Sequence, residues 1–517
     1  MGRTRIEAWR GEPLPLARAA ELIWREGLRK GSEAADWAFL DSSLQGKNGR
    51  YSILGLYPYL QAEERDGVLF VNGEKQTGDL LGFMKGYLEE NREARGEGEP
   101  VMTAGAIGWL SYDYGRKRMG IASRHAGGQA CRGLPDGRFV FYDLYLIEDL
   151  QEKRLWICTG EKLADMSAYR AKVRRWAEET AASCTVEDPA RSEVQTAGAG
   201  TRNEAVVFSS DYGREDYERT IEHLIEYMRA GDMYVMNMTR RITAPYSGDP
   251  YRLFQYLREH NPSPFGAFLS CGEAQIVCAS PERFLQVRDG VAKTSPIKGT
   301  RRRGVTPEED QRLKQALAAS EKDKSELMMV VDLERNDLNR VCVPGSVKVP
   351  RMYSIESFAT VHHLVSDVTG RLQPACGAVD LLETAFPGGS ITGAPKYRAM
   401  EIIDAEEHSA RGLYTGTIGY LGLDGDCDFT IVIRTAVLQD GRVSIGAGGG
   451  ITVDSDPAFE YAETEQKAAA LIEAIGRTQG QEKACARLTR GRHREGTGKA
   501  PGSAGKEASY ERESHKG

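Results

Sequence analysis

Phe139-Val140-Phe141-Tyr142-Asp143-Leu144-Tyr145-Leu146-Ile147, followed after a short polar turn by Arg154-Leu155-Trp156-Ile157-Cys158, is the stretch that decides the fold class. Two runs rich in aromatic and branched residues, joined by turn residues, predict a β-hairpin. The same style continues downstream. Residues 233–243 read as a strand, and 347–450 alternate short strands with glycine turns. Helical spacing marks 163–182 and 217–230, then 377–386, 394–405 and a last helix to about 475. Thr306-Pro307-Glu308-Glu309 opens another, with Thr as N-cap, Pro at the first position and Glu closing a capping box. Strands of mixed period, separated mostly by turns and not by regular crossover helices, favour an α+β fold with antiparallel sheets over a doubly wound one.

The 517 residues, 40% of them hydrophobic, are ample for a large core, and the net charge of -7 argues against a nucleic-acid footprint. Nine cysteines are scattered without a C-x-x-C pair or a Cys/His cluster, the pattern of a reduced, intracellular chain. Met1-Gly2-Arg3-Thr4-Arg5-Ile6-Glu7 begins no apolar signal core, and no apolar run approaches the roughly 20 residues of a membrane helix. A soluble, cytoplasmic protein is expected, with neither nucleic acid nor membrane as partner. Its organisation reads as an N-terminal region over 1–185, a polar linker over 186–204 and a second region over 205–478. A Gly/Lys/Arg/Glu/Ser-rich tail over 479–517 is expected to be disordered.

Several segments carry chemistry-bearing residues. In Ser295-Pro296-Ile297-Lys298-Gly299-Thr300, Pro and Gly bracket one lysine between a strand-like run at 287–291 and the basic turn Arg301-Arg302-Arg303-Gly304. Locally this is a solvated hairpin tip, yet Glu282 stands 16 residues upstream. On the last helix Glu460, Glu463 and Lys467 share one face. They form either a solvated face or carboxylates set beside an anion nest made by Gly446-Ala447-Gly448-Gly449-Gly450. Mg²⁺ takes oxygen ligands from one or two carboxylates, and Glu326 supplies a further candidate. Gly388-Gly389-Ser390-Ile391-Thr392-Gly393-Ala394-Pro395-Lys396 is not a P-loop, since Ala394 stands where the lysine would be, but it offers N–H groups and hydroxyls to a carboxylate. Of His362 and His363, adjacent in a strand, at most one faces a given site. Arg434 is the only charge in the apolar run Phe429-Thr430-Ile431-Val432-Ile433-Arg434-Thr435 and needs a partner, either a substrate carboxylate or a buried salt bridge.

Together these segments resemble the chorismate-utilising family, which includes anthranilate synthases, aminodeoxychorismate synthases, and isochorismate and salicylate synthases. The matching motifs are Ser280-Pro281-Glu282-Arg283-Phe284, the loop from Pro296 to Thr300, Asp332-Leu333, Arg335-Asn336-Asp337-Leu338 and His363-Leu364-Val365-Ser366. They continue through Phe386 to Lys396, Arg398-Ala399-Met400-Glu401-Ile402-Ile403, Tyr414 with Gly416 and Ile418-Gly419-Tyr420, and Gly448 through Lys467. The resemblance covers about 215 to 475, and more loosely Phe39-Leu40-Asp41-Ser42-Ser43 and Gly49-Arg50-Tyr51-Ser52-Ile53-Leu54-Gly55. It implies an antiparallel sheet sandwich flanked by helices, and chorismate as substrate.

The family resemblance assigns a lysine in the Pro-Ile-Lys-Gly-Thr loop to C4 amination. Such a lysine, here Lys298, bonds C2 as a nucleophile so that ammonia enters at C4, giving 4-amino-4-deoxychorismate, the precursor of p-aminobenzoate. It further implies that Glu282 is an acid/base group near the C4 hydroxyl, and that Glu326 and Glu463 hold Mg²⁺, with Glu460 behind them. Arg434, Tyr414, Lys467 and the amides of Gly448, Gly449 and Gly450 would hold substrate carboxylates, His363 would line the ring, and Ser390 and Thr392 the floor. Leu40, Asp41 and Ser42 fall in a segment that resembles the family's tryptophan-binding strip. Val235 departs from the family's usual glutamine or lysine and cannot activate water, which argues against isochorismate or salicylate formation; Arg302 and Asn339 are further departures. A glutaminase nucleophile segment is not visible, so a separate amidotransferase subunit supplying ammonia is implied. The alternatives are anthranilate formation, in which Lys298 has no covalent role, and an inactive scaffold, against which the intact set of site residues argues.

Overall fold

A computed structural model describes residues 3–30, 36–46, 48–125, 133–185, 206–272, 274–358 and 361–479. The linker 186–204 and the tail beyond Gln479 lie outside the described residues. The expected hairpin forms from Gly137–Asp149 and Arg154–Thr159, paired from Leu144↔Thr159 to Asp149↔Arg154. Nearly every residue of the longer strand is buried, because both its edges and both its faces are covered. Tyr51–Arg65 runs along one edge; on the other, Gly105–Leu110 takes the first half and Arg154–Thr159 the second.

From this divided strand the sheet opens into two leaves. One leads through Tyr51–Arg65, Trp37–Asp41, Phe265–Cys271, Ala274–Ser280, Thr435–Gln439 and Arg442–Ile451 to Val235–Pro245. The other leads through Gly105–Leu110, Thr417–Gly422, Cys427–Ile431, Arg283–Arg288 and Val291–Thr294 to Val361–Arg371, which also pairs Ile297–Arg302 and Lys348–Ser357. Every ladder named here is antiparallel, so the α+β sandwich is what the chain builds. Side chains of both leaves, among them Ala38, Ile53, Ala267, Ile276, Ile418 and Tyr420, meet in a shared core. Helices cover the outer faces: Leu16–Lys30, Met166–Thr185, Pro250–His260 and Pro457–Thr478 on the first leaf, and Leu80–Glu90, Glu321–Val341 and Ala378–Ala385 on the second. Among the described residues no helix is long and apolar enough to cross a membrane.

Four local expectations are corrected. The run 287–291 is not one strand: Asp289 and Gly290, at φ 50° and 74°, turn the chain between Arg283–Arg288 and Val291–Thr294. An Asp-Gly pair is the residue choice for a hairpin turn with two positive φ values. Lys298 is not at a hairpin tip but in the strand Ile297–Arg302, paired to Val361–Arg371 with a register shift between Lys298 and Thr300. Gly299 at φ 72° makes that bulge, and a Cβ there would lie 2.8 Å from the Asp323 side chain. The glycines 446–450 form no nest; they are part of the strand Arg442–Ile451, with Gly448↔Thr239 and Gly450↔Asn237. Thr306 does cap Pro307–Ala319 by accepting from the Glu309 N–H at 3.2 Å, but the Glu309 carboxylate accepts from Val305 N–H instead of closing the box.

A buried ion pair ties the elements beneath the site. Arg411 and Glu407, each 4% exposed, bond through Nε–Oε2 at 2.9 Å and Nη2–Oε1 at 2.6 Å. Arg411 also donates to the carbonyls of Ile391 and Asn237, while Glu407 accepts from the N–H and hydroxyl of Thr239. Removing one member of such a pair leaves the other charge uncompensated. Arg411→Ala is therefore expected to lower unfolding free energy by about 3–5 kcal/mol, read as a drop in urea midpoint; an unshifted midpoint would contradict the brace.

Candidate active site

Lys298 projects from the bulged strand and donates to the Ser390 carbonyl at 3.2 Å. Its Nζ stands 3.3 Å from where a Cβ of Gly450 would be, so the glycine leaves the room the ammonium occupies. Three carboxyl groups face it from three other elements. Burial raises the pKa of Glu282, in the turn after Ala274–Ser280, and Lys298, the Ser390 hydroxyl, the Ile297 N–H and Lys467 oppose that rise. Glu326, on Glu321–Val341, is likewise raised by burial and drawn down by Lys298 and Lys322, with Asp323 and Glu463 repelling it. Burial would raise Glu463, on Pro457–Thr478, but Lys467, then the shared contact with Glu460, and last Lys298 outweigh it and its pKa falls below the usual carboxylate value.

Glu460 and Glu463 lie one turn apart with their carboxyls pressed together. The Ser455 hydroxyl donates to Glu460 Oε1 at 2.8 Å, and Oε2 is buried with no protein partner. Burial, reinforced by the charge on Glu463, pushes Glu460 up to about 7 in spite of the Ser455 donor. A Cβ on Gly449 would lie 3.0 Å from Glu463 Oε2 and 3.2 Å from Glu460 Oε2, so a side chain there would press the carboxylates out of place. Lys467 bonds Glu463 at 3.1 Å and the Gly448 carbonyl at 2.8 Å. Among the described residues no group of three or more Asp, Glu, His or Cys is preassembled around a metal-sized space. The donor chemistry nevertheless suits a hard cation: crowded carboxylates, one with an orphaned buried oxygen, a third repelled from nearby, and no thiolate or imidazole among them.

A further cation, Arg434, stands near Tyr414 and His363. Arg434 does not lie within a strand; it sits at the corner between Cys427–Ile431 and Thr435–Gln439 with φ 52°. Burial lowers its pKa, Tyr414 alone opposes that, and no carboxylate among the described residues pairs with it. Of the two readings of Arg434, a buried salt bridge is thereby set aside. Burial raises the Tyr414 hydroxyl, and its ring packs against Gly446, where a Cβ would lie 2.3 Å from it. Burial, with the charges of Arg434 and His362, lowers His363 to about 4, so its imidazole is neutral at pH 7; Nδ1 lies 2.8 Å from Thr300 Oγ1. His362 is committed elsewhere, to Ser357 and Asp310. Ser390 faces Glu282 with its side chain and offers its carbonyl to Lys298, whereas the fully buried Thr392 spends its hydroxyl on the Gly388 carbonyl within the loop.

Leu40, Asp41 and Ser42 line a separate cavity of about 180 Å³ between the two leaves, with Arg50, Tyr51, Arg283 and Tyr420. Asp41 is engaged by Arg258 at 2.8 Å and Ser52 at 3.2 Å, and Ser42 donates to the Tyr51 and Pro264 carbonyls. Sequence reasoning missed Thr300 as the partner of His363, Glu334 beneath the Gly389 amide, and the Glu407–Arg411 brace. The last has the i, i+4 spacing of an ordinary solvated pair, and nothing local marks its burial.

The family model for chorismate binding enzyme matches residues 43–473. Aminodeoxychorismate synthase component 1 of Bacillus subtilis (strain 168) is 36% identical over 442 residues, 83% of this chain and 90% of that protein. Anthranilate synthase component 1 of Bacillus caldotenax is 36% identical, covering 82% and 86%. Among solved structures, anthranilate synthase component I from Streptococcus pneumoniae TIGR4 superposes with a TM-score of 0.70 at 31% identity, covering 83% of this chain and 93% of that one.

An arginine buried without a counter-charge is destabilising until an anion arrives. Arg434→Met should therefore raise the thermal midpoint of the ligand-free protein, by on the order of 1 kcal/mol in stability. A lowered midpoint would mean the guanidinium has a structural partner.

Proposed function

The chain belongs to the chorismate-binding enzymes, and on that premise we propose that it aminates chorismate at C4, giving 4-amino-4-deoxychorismate for p-aminobenzoate synthesis. The observation that carries the reading is Lys298, a half-buried amine with Glu282 beside it and room left for it by Gly450. In the first step the Lys298 ammonium passes a proton to Glu282, the freed amine bonds C2, the ring double bonds shift, and the C4–O bond breaks as Glu282 gives that proton to the departing hydroxyl, releasing water. In the second, ammonia bonds C4, the double bonds shift back, and the C2–N bond breaks. Glu282 takes back the proton that the new ammonium sheds. Burial keeps Glu282 protonated to higher pH than a solvated glutamate, which suits the donor role.

Arg434 and Tyr414 would bind a carboxylate of the substrate, and neutral His363, held by Thr300, would line the ring. Glu326 and Glu463, with Glu460 behind, would hold Mg²⁺, which supplies positive charge for the ring carboxylate and for the crowded glutamates. Ammonia would come from a glutamine amidotransferase partner; the designation component 1 among the relatives supports a two-component assembly. Tryptophan is the occupant we propose for the cavity beside Leu40, Asp41 and Ser42. The scattered cysteines support a cytoplasmic setting. Anthranilate formation is the second reading, favoured by the similarity to anthranilate synthase components.

The deciding experiment incubates the protein with chorismate, Mg²⁺ and ammonium at alkaline pH and separates the products with and without an aminodeoxychorismate lyase. Conversion to p-aminobenzoate only with the lyase is expected, and direct appearance of fluorescent anthranilate would establish the second reading. Lys298→Ala should cut C4 amination at least about a hundredfold, the scale on which positioned catalytic groups act; undiminished output would end the covalent role. Glu463→Gln should weaken Mg²⁺ binding at least about tenfold by calorimetric titration, and an unaltered affinity would remove Glu463 from the ligand set.

A further inference from the structure

We infer that Glu334 is a positioning residue for this amination: a buried carboxylic acid that holds the Gly389–Ser390 peptide and, through it, both Lys298 and Glu282. The inference rests on the chorismate-amination reading of the site. Glu334 lies on the inner face of Glu321–Val341 and is 2% exposed. The Gly389 N–H donates to its Oε1 at 3.3 Å, and its Oε2 is buried with no protein partner. A Cβ on Gly389 would come within 3.1 Å of the Leu333 Cβ and 3.4 Å of Glu334 Oε1, so the loop is seated directly on this part of the helix. The next residue of that loop, Ser390, accepts from Lys298 through its carbonyl, and its side chain faces Glu282. A displaced Gly389 would carry both contacts with it.

The charges around Glu334 favour its neutral form. Asp337 faces it from the same helix, Glu282 from the turn after Ala274–Ser280, and Lys396 from Lys396–Glu406. Lys396, the only cation of the three, is already bonded to Asp337 at 2.7 Å and to the Ala385 carbonyl at 2.9 Å. Burial, reinforced by Asp337 and opposed by Lys396 and the Gly389 N–H, pushes Glu334 up to about 8. At neutral pH it is an acid with a proton of its own. As pH rises through about 8 it gains a negative charge on the side of Glu282, which destabilises the ionised form of Glu282 and shifts the proton balance of the site, while the Gly389 N–H still donates to it. A folded-state pKa above the unfolded value means that folding takes up a proton between the two. The associated stability is therefore present at acidic pH and declines as pH rises toward 8.

The test compares the full-length protein with Glu334→Gln and Glu334→Leu. Chorismate consumption with ammonium is followed from about pH 6 to about pH 10, and thermal midpoints are recorded over the same range without substrate. Leu, which offers Gly389 no acceptor, should lower kcat about tenfold or more with KM changed less than about twofold, and Gln should recover most of that loss. The alkaline limb of the wild-type kcat profile, near pH 8, should move up by about one unit or disappear in the Gln variant. The wild-type midpoint should also fall more steeply between about pH 6 and about pH 9 than that of the Gln variant. Superimposable kcat profiles for wild type and Gln overturn the inference, as does a Gln variant no better than Leu. Should the Leu variant not fold, the wild-type and Gln profiles decide alone. Absence of any chorismate turnover by wild type would instead refute the amination reading, and the melting comparison would still report whether Glu334 titrates.

Discussion

The Lys298 side chain faces three carboxyl groups, Glu282 buried and Glu326 and Glu463 partly buried, and the surrounding structure holds them there against their mutual repulsion. Glu282, Glu326 and Glu463 come from a turn and two helices that are far apart in sequence. Each carboxylate is raised by burial and lowered by the same lysine. Such an arrangement is strained by itself, since desolvating several like charges costs more than Lys298, with Lys322 and Lys467 at its edge, returns. It persists because packing elsewhere over-determines it, and it leaves the site prepared for additional positive charge and for an anionic ligand on the Arg434 side.

The backbone makes room where side chains would not allow it. Gly299 forms the bulge that seats Lys298 beneath the start of Glu321–Val341, and Gly449 and Gly450 let carboxylates and ammonium approach the strand Arg442–Ile451. Arg434 at its positive φ sits on a corner between strands, where the sheet ladder makes no claim on its side chain. Beneath these features the Glu407–Arg411 pair anchors the Ile391 carbonyl, Asn237 and Thr239 to one another. Glu334 does the corresponding work for Gly389.

The two-leaved sheet explains why the site needs the whole chain. Strands from before and after residues 186–205 are bonded to each other, Trp37–Asp41 to Phe265–Cys271 and Gly105–Leu110 to Thr417–Gly422. The active site gathers at the far ends of the two leaves, where Val235–Pro245 and Arg442–Ile451 of one approach Ile297–Arg302 and Val361–Arg371 of the other. The cavity beside Asp41 lies between the leaves, and Thr430, which lines it, donates its hydroxyl to the Glu282 carbonyl at 2.7 Å.

Local patterns in the amino-acid sequence determined what depends on neighbours in the chain. Runs of aromatic and branched residues at 139–147 and 154–158 specified the first hairpin and with it an antiparallel architecture. Thr306-Pro307 specified a helix start, and the motifs from Ser280 to Lys467 carried the candidate site. These follow from backbone sterics, side-chain periodicity and capping, which act over a few residues. Tertiary structure alone decided that Lys298 sits in a bulged strand, that the glycine run is a strand and not a nest, and that His363 and not His362 is left for the site. It also decided that Arg434 has no counter-charge among the described residues, and that Glu334 and the Glu407–Arg411 pair are buried. Burial and unpaired charge depend on which distant segments close over a residue, and no spacing along the chain encodes that.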